Sequence, residues 1–160
     1  MSTIACVRYL LCQVEWGNPT TLSSGSGGGD CIDPSTATAS ELFSVLRSTY
    51  QEVLGDAGWG AAASLLSVLF YSPASRLAVI RCPAAKEEEC RACVSLIKVV
   101  RRRGVAVHVL KCVSTLKRLK DALQKISAGI VKSLKGAQGD TRVLSDEFFE
   151  RLSQEARDAL

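Results

Sequence analysis

Two apolar runs, LLSVLFYS (65–72) and RLAVIRC (76–82), do most to narrow what this chain can fold into. Each has the length of a strand, and the short turn around Pro73 joins them as a hairpin. A sheet with one wet face needs apolar and polar residues to alternate along its strands. Here Leu65, Leu66, Val68, Leu69 and Phe70 occupy both parities, as do Leu77, Val79 and Ile80. The sheet therefore has to be covered on both faces.

The flanking sequence supplies the partners. Residues 4–16 alternate and read as a first strand. Thr38 and Glu41 form a capping box that starts a helix with the stripe Leu42, Leu46, Tyr50, Val53 and Leu54, ending at GDAG (55–58). Pro83 opens a second helix, acidic at its start (Glu87, Glu88, Glu89) and basic at its expected end (Arg101 to Arg103), as the helix dipole favours. Gly104 ends it, and VAVHVLKC (105–112) follows as a buried fourth strand. Leu116, Leu119, Leu123 and Ile126 line a third helix, and Phe148, Phe149 and Leu152 a fourth that starts at Ser145. Strand–helix–strand–strand–helix–strand is the split βαβ order, so the expected class is α+β: a ferredoxin-like βαββαβ antiparallel sheet with additional C-terminal helices. The third helix, the C-terminal helix or a protein partner could cover the second face, and the third helix is favoured. Residues 1–127 form the expected domain, with 17–39 a flexible Gly/Ser-rich insertion, and 128–160 a linker and acidic amphipathic extension.

Of the 160 residues 47% are hydrophobic and 22% charged, the balance of a globular chain. No apolar run is long enough to span a bilayer, so no membrane association is expected. Arg8 splits the N-terminal apolar run, which lacks a signal peptide's order. Seven cysteines, an odd number, suggest reduced thiols in cytosol or nucleus. The net charge of +4 is modest, but its distribution is uneven. Between Arg91 and Lys135 lie twelve of the twenty Lys and Arg against the single acid Asp121, and from Asp146 onward acids dominate. Such blocks suit a polyanion-facing surface and an acidic tail.

Little supports catalysis by the protein. Cys90 and Cys93 form a CxxC inside the second helix, in line with Val94 and Ile97, with no second pair and no nearby histidine. Core thiols are favoured over a metal or redox site. His108, the only histidine, sits in a strand without a nucleophile in sequence reach and reads as structural. The run Glu87–Glu89 points in three directions around its helix and reads as a dipole partner. GSGGG precedes no GK[ST], and an acylphosphatase-like anion loop after the first strand would stand where the insertion is. No cofactor is expected on the protein itself.

The basic constellation remains. Arg101, Arg102 and Arg103 enter the fourth strand; Lys111, Lys117, Arg118 and Lys120 leave it and line the next helix, at whose start the Ser114 and Thr115 hydroxyls sit with free amides. The bland alternative is a solvated charged face. RLAVIRC lacks the aromatics that stack bases on an RNA-recognition sheet, so this surface would read RNA backbone and shape.

Residues 8–126 resemble the Rpp14/Pop5 family of ribonuclease P/MRP protein subunits. RYLL (8–11), LGDAG (54–58), LSVLFYSPASRLAVIRCP (66–83) and GVAVHVLKCVSTLKR (104–118) carry the resemblance in order. The chain departs from the family in VSTLKR, which lacks the glycine of the usual V-S-G-T turn, in its Gly/Ser insertion, and in the extension after residue 127. The resemblance implies a non-catalytic subunit in contact with the catalytic RNA, for which the nine residues of the basic constellation are the expected contacts. The partners it implies are the ribonuclease P/MRP RNA, a TIM-barrel-like Rpp-thirty-type subunit, other ribonuclease P proteins and, indirectly, precursor tRNA. The RNA, with divalent metal (Mg), would remove the 5′ leader of precursor tRNA, and the MRP particle would serve rRNA processing. The implied location is the nucleus, often the nucleolus. Two other readings compete: a protein-interaction module without RNA, and a small acylphosphatase-like enzyme.

Overall fold

The computed structural model describes residues 6–17, 33–73 and 75–133, with side chains described to residue 126. The first strand, β1 (Val7–Trp16), sits at the centre of a five-stranded sheet. Helix α1 (Ala39–Ala62) leads to the hairpin β2 (Ser67–Ser72) and β3 (Leu77–Pro83). A turn at Ala84–Lys86 and helix α2 (Glu87–Ser95) then lead to β4 (Val99–Val100), β5 (Arg103–Val113) and α3 (Leu116–Ser133). The order β2-β3-β1-β5-β4 is antiparallel throughout. Without the two-residue β4 it is the ferredoxin-like α+β sheet expected from the element order.

The double cover is real. On one face Leu10, Cys12 and Val14 of β1 pack with Ala78, Ile80 and Cys82 of β3 against Leu42, Leu46 and Tyr50 of α1 and Cys90, Cys93 and Val94 of α2. On the other, Tyr9, Leu11, Leu77, Val79 and Val113 meet Leu119, Ala122 and Leu123 of α3. The third helix thus covers the second face, as the mixed parity of β3 requires. No helix among the described residues is long and apolar enough to cross a membrane.

Thr38 and Glu41 close the capping box: the Thr38 hydroxyl accepts the Glu41 N–H at 3.3 Å, and the Glu41 carboxylate accepts the Thr38 N–H at 2.9 Å. The stripe continues through Leu42, Leu46 and Tyr50, but Val53 falls off the four-residue series and is 48% exposed. Gly55, with φ 69° and ψ −178°, breaks the helix where GDAG was expected to end it. The chain re-enters helix and folds back, so that Trp59 lies over Phe43 and Tyr50 with ring centroids 6.1 and 6.2 Å away, and the Arg47 guanidinium stands 5.4 Å from the indole. Gly58 permits this return, because a Cβ there would stand 2.5 Å from that of Leu54.

Four expectations need correction. The second helix does not run to Arg101–Arg103: it ends at Ser95, and Val99 and Val100 pair with β5 instead. β-branched valines fit a strand edge better than a helix, and Ile97 is drawn into the core, 4% exposed. Of the segment expected to be a flexible insertion, residues 33–39 are ordered by an Asp33-capped turn at Pro34–Thr36 and by the buried Ala37. His108 is not buried: its side chain is 57% exposed. It lies on the second face beyond the stretch that α3 covers. β1 begins at Val7 rather than at residue 4. The linker after residue 133 and the expected fourth helix lie outside the described residues.

Truncating Leu123, which is fully buried under the sheet, should destabilise the fold by about 2–5 kcal/mol in urea titration, as for other buried leucines. The Tyr50 hydroxyl is buried with no hydrogen-bond partner. Removing an unsatisfied group relieves a desolvation penalty, so Tyr50→Phe should leave stability unchanged or raise it by about 1 kcal/mol.

Candidate functional site

The basic residues sit at the two ends of β5. At its start, Val99 pairs with Gly104 and Val100 with Arg103, leaving Arg101 and Arg102 as a two-residue hairpin loop. Both have positive φ, 42° and 63°. That is the type I′ pattern, which Asn-Gly fills best. The loop is held from both sides. Arg101 forms an ion pair with Glu41, the residue that also caps α1. Arg103 Nε donates to the Gly17 carbonyl at 2.9 Å, and the Gly17 N–H donates to the Gly104 carbonyl at 2.9 Å. Asp33 is held below the usual carboxylate range, mainly by the Ser35 N–H and in small part by the Arg103 charge.

At the far end the strand carries a bulge. Leu11 pairs with Lys111 and Cys12 with Val109, so Leu110 is the extra residue. Without it Lys111 would share the parity of Val105 and Val107 and face the core. With it Lys111 lies opposite Leu11 and is exposed. Thr115 caps α3: its hydroxyl accepts the Arg118 N–H at 3.3 Å and its carbonyl the Leu119 N–H at 3.0 Å. The hydroxyl expected to face a ligand is thus used in the cap, and Ser114 beside it is half-buried. Lys117 and Arg118 are exposed on the first turn and Lys120 is half-buried, with no acid in that turn. Cations at a helix N-terminus oppose the dipole by roughly 0.3–1 kcal/mol each.

β5 carries Arg103 at its first position and Lys111 at its ninth, about 26 Å apart at 3.3 Å per residue. The structure does not gather the nine residues into one pocket; it spreads them along the long axis of the sheet. It also adds one that the sequence did not flag. Arg76, exposed in the β2–β3 turn with φ 56°, lies at the Arg101 end of the sheet. The registers Gln13↔Leu77 and Trp16↔Val105 put it there.

The sequence matches the Rpp14/Pop5 family over residues 8–124, most of its length and all of the sheet but Val7. The chain belongs to the Rpp14/Pop5 family. A comparison with curated proteins finds no match. Among solved structures, a chain in the cryo-EM structure of yeast ribonuclease MRP aligns with a TM-score of 0.53 at 14% identity, covering 99% of this chain and 95% of that one. At that identity the likeness carries the fold.

The polar clusters of this Rpp14/Pop5 chain outside the basic ends are internally matched. Glu87 stands 3.6 Å from Arg8 and 3.9 Å from Arg91, and Glu89 2.8 Å from Lys86. His108 Nε2 lies 3.7 Å from a Glu15 oxygen supplied by β1, a neighbour the sequence could not show. Cys90 and Cys93 are fully buried on the core side of α2, as expected of structural thiols. Among the described residues no group of His, Cys, Asp and Glu is arranged to hold a metal ion.

Burial pushes the Cys12 thiol up to about 12, helped by neighbouring Cys82 and Cys112. Its neutral form is thus favoured in the folded state, so the unfolded chain binds fewer protons above pH 9 and stability falls as pH rises. From about pH 9 to 12 unfolding free energy should drop by roughly 1.4 kcal/mol per pH unit for this thiol. Urea titrations at a series of alkaline pH values measure this, and Cys12→Ser should flatten the dependence.

Proposed function

We propose that this chain is a non-catalytic protein subunit of the ribonuclease P ribonucleoprotein, and of the related MRP particle. It would bind the catalytic RNA along its basic axis and support removal of the 5′ leader from precursor tRNA. Membership of the Rpp14/Pop5 family supports the particle assignment. One observation carries the RNA reading: cations stand where local structure disfavours them. Lys117 and Arg118 crowd a helix N-terminus with no acid in its first turn, and Arg101 and Arg102 occupy left-handed turn positions. A solvated face has no reason to concentrate charge at such places. A phosphate backbone does, because each neutralised phosphate releases condensed counterions.

On this reading the protein offsets phosphate charge and fixes RNA shape, while the RNA and its Mg ions perform the hydrolysis. The partners are a TIM-barrel-like Rpp-thirty-type subunit and the other particle proteins. The place of work is the nucleus, chiefly the nucleolus.

Purifying the tagged full chain from its own cells and sequencing the attached RNA tests the assignment: ribonuclease P or MRP RNA is expected, and recovery of protein partners alone would refute it. Binding of that RNA should weaken by roughly two to three powers of ten between 50 and 200 mM salt if about five phosphates are contacted. Lys117→Ala with Arg118→Ala should lower the salt slope by roughly two.

A further inference from the structure

Among the described residues, the non-glycine positions with left-handed backbone are Arg76, Arg101 and Arg102. Glycine, asparagine and aspartate are the usual occupants of such positions. Turn chemistry alone does not select arginine at all three.

Topology gathers them. Both turns lie at the end of the sheet where β1 finishes and β5 starts. The strand order puts the two turns three strand spacings apart, about 14 Å across the sheet. The registers set Arg76 level with Val14 and the Arg101–Arg102 loop past Trp16, roughly 16 Å further along the sheet. All three residues are exposed. The Val14 N–H donates to the Arg76 carbonyl at 2.8 Å. The β4–β5 hairpin that closes the Arg101–Arg102 loop is held by its Val99↔Gly104 and Val100↔Arg103 pairs and by the Val105 N–H, which donates to the Lys98 carbonyl at 2.8 Å. Glu41 holds Arg101. Unfavoured backbone geometry that the surroundings enforce is the kind that accompanies function.

We propose that Arg76, Arg101 and Arg102 form a phosphate-binding rim, a second RNA contact separate from Lys111, Lys117 and Arg118 and adding a residue from the β2–β3 turn. The inference rests on the RNA-subunit reading. The planar guanidinium fork matches two phosphate oxygens at once, which an ammonium does not, and this favours arginine at each position. With contacts at both ends of β5, the bound RNA is a folded one that spans the length of the sheet.

The test uses the full chain and the RNA recovered with it, transcribed in vitro. Arg76→Gly, and Arg101→Asn with Arg102→Gly, put the preferred residues into the two turns. Arg76→Lys, and Arg101→Lys with Arg102→Lys, keep charge and strain. The first pair of variants should unfold at higher urea, with the folded-to-unfolded ratio raised roughly tenfold per relieved turn. They should also bind more weakly, with salt slopes smaller by about one and about two. The lysine variants should keep the slope and gain no stability. Unchanged RNA affinity and slope in the Gly and Asn variants, with steep wild-type binding, would overturn the rim and leave the RNA-subunit reading standing. Lower stability in Arg76→Gly would show that its turn holds no strain, and the rim would fall with that argument. Wild-type protein that binds no RNA would remove the subunit reading itself.

Discussion

The fold depends on a central sheet that is apolar on both sides. β1 and β3 contribute alternate residues to two separate cores, with Leu10, Cys12 and Val14 toward α1 and α2, and Tyr9 and Leu11 toward α3. The core toward α1 and α2 is the larger, and the one under α3 is the smaller. Removing α3 would bare Leu11, Leu77, Val79 and Val113 to water. The helix after the last strand is therefore part of the folding unit, and its start is fixed in space by where β5 ends. That coupling places the Lys117 and Arg118 charges.

The basic residues share a feature that total charge does not show. Electrostatics within the chain favours anions at the start of α3, and turn geometry favours small residues at the apex of the β4–β5 hairpin. The chain carries cations at both. Where its own fold does need cations, it matches them. Arg8 and Arg91 flank Glu87, and Lys86 meets Glu89. Arg101 belongs to both groups, tied to Glu41 yet 62% exposed. The Glu41 carboxylate is only 17% exposed, so the pair fixes the arginine from its shielded side while the guanidinium still faces solvent.

Much of the architecture was legible in the residues. The mixed parity of LLSVLFYS and RLAVIRC called for two covers, and Thr38 with Glu41 marked the start of α1 to the residue. Gly55 marked a break, whereas Gly104, expected to end the second helix, lies inside β5 opposite Val99. The path from Ser95 to Arg103 was not legible. Arg101–Arg103 followed a strong acidic helix start, so local charge pattern suggested one long helix, while the outcome was decided by burial of Ile97 and Val100. Exposure of His108 and its contact with Glu15 depended on strand pairing. The flip of Lys111 depended on a bulge that leaves no mark in the pattern of residue types. Arg76 escaped notice because a single arginine in a turn carries no sequence signal until topology shows its neighbours.

The anchoring of Gly17 has a consequence for how such chains can diverge. Gly17 is tied to Gly104 and Arg103, and Asp33 lies within the field of that same arginine. Gly17 and Asp33 are therefore both placed near Arg103, which fixes the two points that any intervening segment has to join. Doubling a loop closed in this way adds only about 0.6 kcal/mol of entropic cost. Segments of very different length can be spliced in at this point while β1, α1 and the arginine turn keep their positions.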